Sequence, residues 1–343
     1  MAGDTARGEG ADGRLGEFSA DAKAAVLDYT GLTPCEPIPE AEWVDRPAWL
    51  RINLEGFRAA AGLVEARIGE RLRLPGRLAS VGPAAIGKIA AVEVGALLGY
   101  SSRRVLGQYE YPILGDPAKP RAPRLLFVAP NIAAARGELG ADPEALLRWI
   151  ALHEVTHAVH FAAAPWLRAH IGGLARELIG SAEVGPRPGD VAAAMRRVVS
   201  EDPRKLVEEL RSSDPMTLLA PASVRPLIAE IQASMAMIEG YAEHVMDAAA
   251  GGIGGDVAAL RIAIDRRRAD KGPLARLLAW LLGMELKMRQ YRDGKQFVDA
   301  VVADAGIETL NRAWENAEML PVGGELATPE RWVERVVSAP TRA

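Results

Sequence analysis

A chain whose apolar residues recur at three- and four-residue spacing almost throughout can bury them only by packing helices together. That is the pattern here from Ser19 onward. Leu50 to Arg73, Pro83 to Gly99 and Ile228 to Ala249 show it best, and abundant alanine adds helix propensity. One stretch departs from it. Pro123-Arg124-Leu125-Leu126-Phe127-Val128-Ala129-Pro130 is a short apolar run between prolines, which predicts a strand at the edge of a small sheet, with Tyr109 to Leu114 as its partner. The expected fold class is mainly α with a small β-sheet.

Residues 1–18 are rich in Gly, Asp, Ala and Arg and bury little, so they read as a disordered tail. No linker of distinct composition divides the remainder, and residues 19–340 read as a single domain of two helical lobes with a cleft between them. Lys and Arg number 41 against 45 Asp and Glu, a net charge of −4, so there is no basic excess to neutralise phosphates and no nucleic-acid partner is expected. No apolar run reaches the roughly 20 residues that cross a bilayer. The first fifteen residues carry charges where a signal peptide would be apolar. The single cysteine, Cys35, cannot close an internal disulfide, and a reducing cytoplasm is the expected location.

The chemistry concentrates in one predicted helix. Ala141-Asp142-Pro143-Glu144 offers an N-cap aspartate, a proline at the first helical position and an acid in the first turn, and no further proline interrupts the chain until Pro165. Within this helix runs His153-Glu154-Val155-Thr156-His157. Residues four apart share a helix face, so the two imidazoles can converge on one ion, as zinc requires of neutral nitrogen ligands. Glu154 stands beside them, where a carboxylate can hold the attacking water and take its proton. The flanking residues are apolar nearly all round, so two histidines inside them need a partner.

Zinc needs another protein ligand. A third histidine in the pattern His-Glu-x-x-His-x-x-Gly-x-x-His is excluded, because positions 160 and 163 hold His160 and Ala163. The best candidate is Glu239, which follows Met235, Ala236, Met237 and Ile238, where an unpaired carboxylate would be costly; Gly240 next to it permits close helix approach. The alternative for Glu239 is a partly buried acid paired with an arginine. Glu243, one turn on, can orient a liganding histidine or be a surface acid. Tyr241 and His244 are candidate donors to an oxyanion, or packing residues.

These motifs, His153-Glu154-Val155-Thr156-His157, then Glu239-Gly240-Tyr241-Ala242-Glu243-His244, then the run from Gly283 to Phe297, resemble the zincin-like metallopeptidases of actinobacteria, some of which are linked to deazaflavin-cofactor biosynthesis. The resemblance spans about residues 20 to 335. It implies a mainly helical zincin-like metallopeptidase fold, Zn2+ held by His153, His157 and a glutamate, Glu154 as base, and a peptide or protein substrate. The family's substrates are not established.

The expected activity is zinc-dependent hydrolysis of a peptide bond, with the strand from Arg124 to Ala129 as an edge for an extended substrate. Two other readings compete. One is a zincin-like scaffold that binds metal or a partner without cleaving anything. The other takes Glu154-Val155-Thr156-His157 as half of a di-iron site, which needs a second Glu-x-x-His that the chain lacks. Oligomeric state is not legible.

Overall fold

A computed structural model describes residues 9–71, 95–96, 98–114, 121–181, 224–250, 260–261, 263–264, 284–322 and 324–339. Eight helices and three strands can be followed among them. In chain order they are α1 (Glu9–Thr30), β1 (Ala41–Val44), α2 (Arg46–Arg71), β2 (Gly107–Glu110), β3 (Arg124–Val128), α3 (Ala129–Leu139), α4 (Pro143–Ala163), α5 (Trp166–Ser181), α6 (Arg225–Ala249), α7 (Met284–Asn311) and α8 (Pro329–Ser338). The architecture is mainly helical with one small sheet. Most of the expected helix from Pro83 to Gly99 lies outside the described residues, as do the side chains from Gly283 to Arg292.

The helix that carries the motif starts as its sequence dictates. Asp142 accepts a hydrogen bond from the Ala145 amide at 2.8 Å, Pro143 occupies the first turn, and the helix ends at Ala163 before Pro165. It is buried along almost its whole length, with α1, α3, α6 and β2 packed around it. A helix enclosed on this many sides has to be apolar all round, and its sequence is.

α1 begins at Glu9, inside the segment expected to be a tail, and Leu15 and Phe18 are buried against α4. The expected boundary at residue 18 is therefore too late. Leu15, Phe18, Ala22 and Val26 follow a three-four-four spacing that continues the helical stripe N-terminally past Ser19.

The sheet has the order β1-β3-β2, with β1 parallel and β2 antiparallel to β3. The expected edge strand, β3, is thus the central one. Its prolines lie outside the paired residues and remove no ladder hydrogen bond, while Leu125 to Val128 are all buried, as a strand covered on both faces requires. Leu125 and Phe127 enter the main core with α4, while Leu126 and Val128 pack with Trp49 and Ile52 of α2. The partner strand starts at Gly107, two residues before the expected Tyr109, and stops at Glu110.

α6 and α7 cross at two glycines. A Cβ on Gly240 would lie 2.5 Å from the Gly294 carbonyl oxygen and 2.7 Å from the Lys295 nitrogen, and one on Gly294 would overlap the Ala236 carbonyl. Only the absence of both side chains lets the backbones come this close. α7 then kinks at Gly306, whose φ of 82° is left-handed, and α8 returns to bury Trp332 against Phe297 of α7.

Candidate metal centre

α4 and α6 bring three expected ligands together. One ligand atom each from His153, His157 and Glu239 can be chosen so that all lie within 4.8 Å of one another, and His157 Nε2 stands 3.6 Å from Glu239 Oε2. Bonds of about 2.0–2.2 Å directed tetrahedrally put neighbouring ligand atoms roughly 3.3–3.6 Å apart, so the observed pair is spaced as two ligands of one ion. The imidazoles meet edge to face, with ring centres 4.8 Å apart and planes at 84°, and the Trp149 indole lies nearly parallel to His153. All three side chains are largely buried, with a two-nitrogen, one-oxygen donor set that suits zinc. The residues fit the metal.

Glu154 points sideways from the ligand pair, toward the sheet. Its Oε2 accepts a hydrogen bond from the Tyr109 amide of β2 at 2.9 Å, and the side chain is buried. An amide donor aimed at a carboxylate favours its ionised form, the form a base needs.

Tyr241 and His244 are not part of this group. At about 100° per residue they sit roughly 200° and 140° round α6 from Glu239, on its opposite side. Tyr241 is fully buried and donates to Asn311 Oδ1 at 2.8 Å; burial raises its pKa well above that of a free phenol. His244 joins the Tyr29 hydroxyl at 2.6 Å to Asp299 Oδ1 at 2.7 Å. Tyr241 ties α6 to α7 and His244 ties it to α1 and α7, the packing alternative considered for them. Glu243 shares the face of Glu239 and has the Arg261 guanidinium 3.9 Å from its carboxylate.

Three features of the site were missed at the level of sequence. Tyr111, just beyond β2, packs on Phe161 with ring centres 4.4 Å apart. Burial raises the pKa of its phenol, with smaller pushes from Tyr109 and Glu239, so it stays protonated in the neighbourhood of the Glu239 carboxylate. His160 is one turn beyond His157 on the same face, fully buried against Trp314 and Tyr241, with no hydrogen-bond partner for either ring nitrogen among the described residues. Burial lowers its pKa to about 3, with His157 adding to the shift, so it is a neutral imidazole. The third is Gly107 of β2, which lies against Glu154. A tyrosine or glycine carries no spacing signal of its own. His160 does, since His153, His157 and His160 follow the i, i+4, i+7 pattern of one helix face.

The family model of zincin-like metallopeptidases matches residues 2–333. The chain belongs to the zincin-like metallopeptidase family. A crystal structure from Chloroflexus aurantiacus, that of a candidate hydrolase with a novel fold, superposes with a TM-score of 0.67 at 28% identity, covering 99% of this chain and 93% of that one. No curated protein matches the sequence. No helix among the described residues is long and apolar enough to cross a membrane.

Proposed function

We propose that this zincin-like protein is a zinc-dependent hydrolase acting on peptide-like amide bonds, with His153, His157 and Glu239 as metal ligands and Glu154 as general base. The observation that carries the reading is the convergence of three donor atoms from two helices, within 4.8 Å, next to an anchored carboxylate. Held by these three side chains, zinc would supply the Lewis acidity that polarises a scissile carbonyl and makes water a nucleophile near neutral pH. Glu154 accepts the proton of the attacking water and returns it to the departing amine, so one carboxylate serves as base and then acid. The two liganding histidines must be neutral, which sets a lower pH limit on metal loading.

Glu154→Gln keeps the size of the side chain and removes its basicity. Zinc content should stay near that of the wild type while chelator-sensitive turnover of a peptide library falls by about 10²–10⁴-fold. Loss of zinc would mean that base and ligand have been exchanged in this assignment. A wild-type protein that binds zinc yet shows no chelator-sensitive turnover would leave the scaffold reading in its place.

A further inference from the structure

β2 is an outer strand, so every second residue turns its amide away from the sheet. The Val128 amide bonds to the Leu106 carbonyl at 2.8 Å, and Leu106 opposes Val128 in the register that pairs Gly107 with Phe127. Alternation from there gives residues 106, 108 and 110 to the ladder and turns Gly107 and Tyr109 outward. An outward amide on a sheet edge ordinarily meets water. That of Tyr109 instead meets Glu154 Oε2.

To reach that amide, the Glu154 side chain runs directly across Gly107. A Cβ at position 107 would stand 2.5 Å from Glu154 Cγ and 3.0 Å from both Cδ and Oε1. Gly107 has no positive φ, so its backbone conformation is open to any residue and the need for glycine there is one of space. Resting on the reading of Glu154 as base, we propose that Gly107 and the Tyr109 amide form a positioning device for it. The missing side chain opens the path, and the amide fixes one carboxylate oxygen. Gly107 is a positioning residue that acts through Glu154.

Hydrogen exchange on the metal-free protein reads this placement without any turnover. In Gly107→Ala the Tyr109 amide should exchange at least about tenfold faster, as for loss of a bond to a charged acceptor, while the inward amides of Gln108 and Glu110 keep their protection and report an intact sheet. Zinc content should be unchanged and turnover should fall about 10²-fold, as expected for a displaced catalytic group. Should Gly107→Ala not fold, Glu154→Gln should keep Tyr109 protected and Glu154→Ala should not, since only the former retains an acceptor.

Unchanged Tyr109 exchange in Gly107→Ala would overturn the proposal. Lost protection together with a wild-type protein that hydrolyses nothing would uphold the placement and sink the hydrolase reading instead.

Discussion

His160 shows how a single buried side chain makes this fold sensitive to acid. Its folded pKa of about 3 lies below the ordinary 6.5, because charging it would strand a cation among Trp314, Tyr241 and Phe161. Between those two pH values the unfolded chain takes up the proton and the native chain does not. The stability is therefore complete above pH 6.5 and declines as the pH falls toward 3, by an amount of order 3–5 kcal/mol. His160→Leu removes two unpartnered nitrogens at similar volume. Its metal-free unfolding free energy should match or exceed the wild type's at pH 7 and fall less steeply below pH 6.5; parallel stability curves by urea titration would refute the assignment. The converging donors were legible because helix geometry makes position i+4 a neighbour and because a carboxylate after Met237 and Ile238 needs a reason to be there. For Tyr241 and His244 the sequence left two alternatives open, because nearness in sequence to Glu239 is not nearness round the helix.

At the scale of elements, Glu239, the third proposed ligand, is placed by a backbone contact. Glu239 sits beside Gly240, and Gly240 meets Gly294 and Lys295 through main-chain atoms that cannot rotate away. Gly240→Ala must therefore push α7 from α6 or turn α6 itself. The expected cost is about 1–3 kcal/mol of stability, with a fall in zinc affinity larger than any change in the His153 and His157 geometry would give. Denaturant midpoints and a competitive zinc titration measure the two, and an alanine variant with unaltered affinity would free Glu239 from dependence on the crossing. The glycine was visible in the sequence, but its partner was not, since nothing in the order of residues says that position 294 returns to 240. The same limit explains the strands. The apolar run of β3 was read correctly as a strand, but its central position depends on β1, which pairs with it from over 80 residues upstream. β1 is four residues long and largely half-buried, too short to announce itself by alternation.

For the molecule as a whole, a bound ion would be a cross-link between two parts of the core. α4 carries His153 and His157 and packs on α1 and the sheet, whereas α6 carries Glu239 and packs on α7. An ion that binds this arrangement and not the unfolded chain stabilises the native state by mass action, by about 2.7 kcal/mol at a free concentration of 100 Kd. Thermal unfolding in zinc buffers should accordingly rise by several degrees over the chelated protein. Glu239→Ala should reduce that rise sharply while leaving the Tm of the chelated protein within a degree or two, because the core around Met237, Tyr241 and Val245 is formed without the carboxylate. Glu154→Gln should retain the full rise, since its side chain is bound to β2 and donates nothing to the ion. A Glu239→Ala protein that zinc stabilises as strongly as the wild type would exclude the two-helix cross-link. Equal stabilisation with and without His157 would exclude the centre altogether.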